Sequence, residues 1–206
     1  MVDVVRLGQG LDLTGELDPE RIEAALATLK RFAEEARGAG ATEIAAVATE
    51  ATRAQYAKFL AAIGTGAAPG LPSVCSFKTT HVPGGRWPPA AGDQMQPVTY
   101  VDWCDAWAFC AWTGKHLCGS IKGGPVAGND SSNAASDLWY RACSNAGALT
   151  YPWGSAFDGA KCNGPSAGAN GVVPVGSKPS CMGGLSGLFD MAGNAQEWQD
   201  SCDGNT

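Results

Sequence analysis

Three absences narrow what this chain can be. No apolar run reaches the roughly 20 residues that cross a bilayer as a helix, so the sequence predicts no membrane span. Basic side chains are outnumbered, and the net charge of -6 argues against a nucleic-acid-binding protein, which normally presents a basic face. Residues 1–6 lack the basic region and apolar stretch of a secretory signal. As encoded, the chain is therefore predicted to be cytoplasmic.

The cysteines point to a different compartment. All eight lie between Cys75 and Cys202, in a segment rich in glycine. No C-x-x-C pair occurs, which disfavours a zinc site. An even number of cysteines in a loop-rich segment favours disulfides and an extracytoplasmic origin, and reduced thiols are the alternative. The spacing alone does not give the pairing.

Composition divides the chain into two predicted domains, 1–54 and 55–206. The first has no Cys, Trp or Tyr and is rich in Ala, Glu and Arg. Its apolar segments 2–7 and 44–48 predict two strands. Asp18 is a suitable N-cap for a helix between them, and Gly38 is a suitable end. The first domain is therefore predicted to be a β-α-β unit.

Three segments of that unit, Val5–Leu11, Gly15–Ile22 and Ala46–Arg53, resemble the exopolyphosphatase and guanosine pentaphosphate phosphohydrolase family. The resemblance implies part of an actin-like ATPase fold. The family's phosphate loops and catalytic glutamate have no counterpart here, so we interpret 1–54 as a structural fragment. Polyphosphate or nucleotide hydrolysis is the third-ranked hypothesis for the chain.

Three helices are predicted in the second domain. Thr52 or Arg53 caps the first, whose apolar face holds Tyr56, Phe59, Leu60 and Ile63. Asp102 caps the second, 103–112, which Gly114 ends. The third, 136–143, is implied by the family resemblance that the motifs below carry, and Ser136 is its natural N-cap. On the second helix, we expect one face to pack in the core rather than bind a ligand; it holds Trp103, Ala106, Trp107 and Cys110. His116 is predicted to be a surface or hydrogen-bonding residue.

Ordered motifs run through the second domain. They are Gln96-Pro-Val-Thr-Tyr-Val-Asp-Trp103, Cys110-Ala-Trp-Thr-Gly-Lys-His-Leu-Cys118, Tyr151-Pro-Trp-Gly154 and Gly187-Leu-Phe-Asp-Met-Ala-Gly-Asn-Ala-Gln-Glu-Trp198. Together they resemble the formylglycine-generating enzyme family, also called sulfatase-modifying factors. The resemblance implies a loop-rich α+β fold related to C-type lectins. That fold suits a chain with 28 Gly and 12 Pro residues.

The resemblance also implies a metal site. Catalytic members of the family bind structural calcium through an Asn near the position of Asn163 and through a segment that corresponds here to Gly193, Asn194 and Glu197. The loop after Asn163 is shortened relative to the family pattern, so Asn194 and Glu197 are the better candidates. Carbonyl, amide and carboxylate oxygens are the ligands that calcium prefers. The alternative for Asn194 and Glu197 is that they make structural hydrogen bonds.

Catalysis in the family uses two late cysteines that bind copper(I) and use oxygen to convert a substrate cysteine to formylglycine. Both positions would lie beyond Thr206, so the sequence predicts a truncated, non-catalytic domain without copper. The usual partners of Cys110 and Cys143 would be lost with them. The expected role is structural, or binding of a protein or peptide through loops. The alternative is a protein-cysteine oxidase whose missing part is supplied elsewhere.

Overall fold

The computed structural model describes residues 51–64, 66–185 and 187–201. The chain divides into two compact units, Met1–Ala46 and Val47–Thr206, and every described residue belongs to the second. The β-α-β unit predicted before residue 51 lies outside the described residues. The domain boundary predicted at 54/55 stays a prediction.

Loops dominate the described residues, which contain three α-helices. These are α1 (Arg53–Ile63), α2 (Trp103–Trp112) and α3 (Leu138–Cys143). Single turns of 3-10 helix lie at Ser73–Cys75, Gly128–Asp130 and Pro165–Ala167. Over the same residues, β pairing is limited to isolated bridges, such as Thr52 with Pro97 and Ser120 with Asp137. The expected α+β architecture is therefore seen as helices and loops, without extended strands in these ranges.

The N-cap of helix α1 is Thr52, one of the two predicted candidates. The Thr52 hydroxyl accepts a hydrogen bond from the Gln55 N–H, and the Gln55 side chain accepts one from the Thr52 N–H. This reciprocal pair satisfies two donors that a helix start leaves open. Gly64 ends the helix with φ of 78°, a conformation that favours glycine.

Helix α2 has the predicted cap but a different buried face. Asp102 and Asp105 form the same reciprocal box as in α1. The fully buried residues are Cys104, Asp105 and Ala108, whereas the four residues of the predicted face are only partly buried. The predicted face missed the fully buried positions because it was drawn from apolar residues alone. A disulfide buries Cys104 and ion pairs bury Asp105. Trp107 does pack against the core, as expected.

The cap predicted for α3 was wrong by one residue. The Asp137 carboxylate, not the Ser136 hydroxyl, accepts the Tyr140 N–H. A bridge to Ser120 holds residue 137 beside another segment, so tertiary pairing decides where the helix begins.

An aromatic core joins α1 and α2. Tyr56 stacks on Phe109 with ring centroids 5.6 Å apart, and Phe59 meets Phe109 edge to face at 5.8 Å. Such pairs add to the stabilisation from burial. The structure contains two disulfides: Cys75–Cys104 ties a loop to α2, and Cys162–Cys181 ties two loop segments to each other. They confirm that at least half of the cysteines pair.

Candidate functional site

Three of the four predicted calcium ligands lie together. The Asn194 N–H donates to the Asn163 carbonyl at 2.7 Å, and the Asn163 side-chain amide donates to Asn194 Oδ1 at 3.0 Å. Val173 N–H donates to the same Oδ1 at 2.9 Å. Gly193 has φ of 89°, and a Cβ there would lie 2.8 Å from the Asn163 carbonyl oxygen. The structure thus places these three residues side by side, and their binding of calcium stays a prediction.

Their arrangement favours hydrogen bonding over cation binding for Asn194. Its Oδ1 already accepts two N–H groups, and a cation at that oxygen would have to displace them. Glu197 faces other neighbours, because its carboxylate accepts the indole N–H of Trp139. Within the described ranges, no three His, Cys, Asp or Glu side chains converge as a metal site requires. Calcium at this set stays a prediction.

Three cysteines are free thiols and form what we call the thiol cluster: Cys110, Cys118 and Cys143. The Cys118 carbonyl accepts the Asp200 N–H at 2.7 Å, and the adjacent Gly119 carbonyl accepts the Leu138 N–H at 3.0 Å. These bonds bring the end of the α2 loop, the start of α3 and the Glu197 segment together. Cys202 lies outside the described residues.

Burial keeps the thiol cluster protonated. It raises the pKa of Cys118 to about 12, and the charges of Glu197, Cys110 and Asp137 act in the same direction. Burial raises the pKa of Cys143 to about 11, again with a contribution from Glu197. Burial also raises the pKa of Cys110 to about 11, against the opposing charge of Lys115. Because thiolates are the reactive and metal-binding form, these thiols are chemically quiet near neutral pH.

A buried ion cluster was missed by the sequence analysis. Asp105 accepts from Lys78 Nζ at 2.6 Å and lies 2.9 Å from His81 Nδ1. Lys78 also pairs with Asp102 at 3.0 Å. These bonds outweigh desolvation, so the pKa of Lys78 is raised and that of Asp102 is lowered. We name Lys78, His81 and Asp105 the ion cluster.

The ion cluster is part of the core. The Tyr56 hydroxyl donates to the His81 carbonyl at 2.8 Å, and Phe59 packs on the imidazole ring. The Cys75–Cys104 disulfide joins the same two segments. The available sequence signal was Asp105 three residues after Asp102, which is the capping-box spacing. Lys78 and His81 had no such signal, because they lie 24 residues or more from their carboxylate partners.

Two exposed aromatic residues, Tyr100 and Trp198, are named here the aromatic patch. They are 61% and 49% exposed. The Trp198 indole N–H donates to the carbonyl of Val101 at 3.0 Å, and Val101 is the residue that follows Tyr100 in the chain. Tyr100 has φ of 60°, and its ring lies over Gly85, where a Cβ would come within 3.1 Å. A conformation that is unusual for a bulky residue thus holds the ring at the surface.

His116 lies where the sequence placed it. It is exposed, and its Nδ1 lies 2.9 Å from the Leu117 carbonyl oxygen. Among the helices that the structure describes, none is both long and apolar enough to cross a membrane.

Comparison with known families agrees with the motifs. The sequence model of the sulfatase-modifying factor enzyme 1-like domain matches residues 37–206. The chain belongs to this family. Membership implies the C-type-lectin-like fold expected from the motifs. The model of the Ppx/GppA phosphatase family matches residues 2–63, which confirms the second resemblance. The two matches overlap across α1, whose sequence suits both families.

Family relatives include proteins named as inactive. The chain is 32% identical over 116 residues to inactive C-alpha-formylglycine-generating enzyme 2 of Bos taurus, covering 51% of this chain and 33% of the relative. The Mus musculus protein of that name is 30% identical over 116 residues, covering 51% and 32%. Serine/threonine-protein kinase Pkn1 of Chlamydia trachomatis is 29% identical over 150 residues, covering 71% and 21%. The chain thus spans a third or less of each relative.

Proposed function

We propose that this sulfatase-modifying-factor domain binds peptides without oxidising them. The proposal rests on the family match and on the names of the bovine and murine relatives, which call those proteins inactive, and the state of the thiol cluster agrees with it. All three thiols have pKa values of about 11 or 12, raised first by burial. Oxidation of a substrate cysteine through protein thiols needs thiolates, which bind soft metals. The names of the bovine and murine relatives support the same reading.

The binding half of the proposal rests on the aromatic patch. Tyrosine and tryptophan are enriched where proteins bind partners, because a rigid ring gives a large contact area at a small entropic cost. Tyr100 and Trp198 are fixed by backbone contacts, so their rings are already in place before a partner arrives. The occupant that fits the family is an extended cysteine-containing peptide.

Mass spectrometry tests the absence of oxidase activity. The full chain is incubated with a cysteine peptide, oxygen and copper(I), beside a complete formylglycine-generating enzyme as positive control. We expect the peptide mass to stay unchanged with this chain. Oxygen-dependent formylglycine would overturn the proposal and restore the oxidase alternative. Loss of that product in Cys118→Ser would then assign it to the thiol cluster.

Fluorescence anisotropy of the same peptide, labelled, tests binding. We expect binding by the wild-type chain and at least tenfold weaker binding by Tyr100→Ala and Trp198→Ala, a loss of about 1.4 kcal/mol or more. Phe157→Ala is the matched control, since Phe157 is equally exposed but belongs to another aromatic group, with Tyr151. Equal affinity in all variants would remove the aromatic patch from the proposal.

A phosphohydrolase role for the chain is tested separately. We expect phosphate release from polyphosphate to match a heat-killed control. Release above that control would show that residues 1–54 are more than a structural fragment.

A further inference from the structure

The turn at Gly128–Asp130 carries a modification motif that the binding proposal does not use. Asn129-Asp130-Ser131 has the pattern N-x-S, in which the middle residue is not proline. None of the other asparagines in the 206-residue sequence is followed by Ser or Thr at the second position. This pattern is the acceptor for N-linked glycans in proteins that pass through a glycosylating compartment.

The turn displays Asn129 to solvent. Residues 127, 128 and 129 are all exposed. A Cβ added at Gly128 would meet nothing within 4 Å, so there is open space beside the asparagine. Because short sequence motifs occur by chance, this surface placement is the structural context that the motif requires.

A firm base supports the turn. Val126 is buried, and its N–H donates to the Asp200 carbonyl at 2.8 Å. Within the turn, the Asp130 N–H donates to the Ala127 carbonyl at 2.8 Å. The Ser131 hydroxyl donates to the Gly128 carbonyl at 2.8 Å. The hydroxyl of the motif therefore lies on the same turn as Asn129. None of these contacts uses the exposed side chain of Asn129.

The disulfides indicate a compatible compartment. Cys75, Cys104, Cys162 and Cys181 are all buried and paired. Disulfides of this kind form in oxidising compartments such as the endoplasmic reticulum lumen, where N-glycosylation also takes place. A chain that reaches its oxidised fold there would meet the transferase.

We propose that Asn129 is an acceptor for one N-linked glycan. The donor is an oligosaccharide carried on a lipid diphosphate. The bond between the anomeric carbon and the diphosphate oxygen breaks, and a bond forms between that carbon and Asn129 Nδ2. The amide nitrogen loses one proton, and the lipid diphosphate leaves with the electron pair. The step transfers a group and needs no oxidant or reductant.

The test directs the full chain into the endoplasmic reticulum of a eukaryotic host with a cleavable leader. We expect a mass increase of one glycan, which peptide-N-glycosidase removes. Asn129→Gln and Ser131→Ala should abolish the increase, whereas Ser131→Thr should keep it. Asn170→Gln and Ser132→Ala are matched exposed controls outside the motif and should leave it unchanged.

Two results would overturn the proposal. One is an unmodified wild-type chain in a host that glycosylates a co-expressed reporter. The other is a glycan that persists in Asn129→Gln.

A second experiment tests whether the turn accommodates the glycan, by comparing the Tm of the chain before and after deglycosylation. We expect the same Tm, and a lower Tm for the glycosylated chain would show that the turn does not accommodate the group.

Discussion

Asp105 connects more of the molecule than any other charged residue in the ion cluster. Its Oδ1 contacts Lys78 Nζ and His81 Nδ1, and its Oδ2 accepts a hydrogen bond from the Asp102 N–H. We expect Asp105→Asn to lower the free energy of unfolding by about 1–3 kcal/mol, because it leaves partly buried Lys78 without its closest counter-charge. Urea denaturation followed by tryptophan fluorescence measures the loss.

Asp102 supplies the matched control for this substitution. It also pairs with Lys78, but its side chain is 45% exposed. Asn keeps the helix cap of α2, so Asp102→Asn removes only a solvent-screened charge and should cost less than about 1 kcal/mol. Equal losses in the two variants would contradict a special role for burial at Asp105.

Asn194 allows the hydrogen-bond and calcium interpretations to be separated. Its side chain exchanges bonds with Asn163 and Val173. We expect Asn194→Ala to destabilise the domain by about 1–3 kcal/mol, since it leaves buried partners unsatisfied. The loss should be the same in calcium and in chelator. A wild-type Tm that rises with calcium, and a variant Tm that does not, would show instead that Asn194 holds the cation.

At the scale of a helix, Thr52 is expected to contribute through the capping box of α1. Thr52→Ala removes the acceptor for the Gln55 N–H and should cost about 0.5–2 kcal/mol. Thr52→Ser keeps the hydroxyl and should restore most of that stability. Helical circular dichroism and urea midpoints of the three proteins give the comparison, and a Ser variant as unstable as Ala would count against capping.

Local signals located the starts of α1 and α2 but not that of α3. Thr52 and Asp102 were found from the sequence because a cap and its helix are neighbours in the chain. Ser136 failed because a bridge between Ser120 and Asp137, 17 positions apart, decides the start of α3. Contacts of that kind leave no trace in local periodicity.

The same limit applies to the candidate site. Family motifs named Asn163, Gly193 and Asn194 as calcium candidates, and the structure brings them together although 30 positions separate Asn163 from Gly193. Whether they bind calcium stays a prediction. The motifs did not show that Asn194 Oδ1 accepts hydrogen bonds from two N–H groups. The ion cluster had no motif, and the disulfide partners could not be read from spacing. Tertiary packing alone brings Lys78 and His81 to Asp105.

For the molecule as a whole, the shifted groups act together at high pH. Burial raises the pKa values of Cys110, Cys118 and Cys143 from an ordinary 9.0 to about 11, 12 and 11. Burial also raises the pKa of Tyr56. The pKa of Lys78 is raised because its bonds to Asp105 and Asp102 outweigh desolvation. In each case the folded chain holds a proton that the unfolded chain releases more readily.

This linkage predicts a fold that weakens in alkali. Stability should be constant up to about pH 8 and fall above pH 9, where unfolded thiols begin to ionise and folded ones do not. Over this range, each fully buried thiol lowers the free energy of unfolding by up to about 1.4 kcal/mol per pH unit. Cys143, the least buried of the three thiols, lowers it by less. The decline should continue beyond pH 10 through Tyr56 and Lys78.

Urea midpoints from pH 7 to 11 under non-reducing conditions measure this loss of stability. The triple variant Cys110→Ser, Cys118→Ser, Cys143→Ser should keep its stability to about one pH unit higher, because only Tyr56 and Lys78 remain to titrate. A flat profile in the wild type would mean that the thiols ionise as easily in the folded chain as in the unfolded one, and the proposal of a chemically quiet thiol cluster would then fail with it.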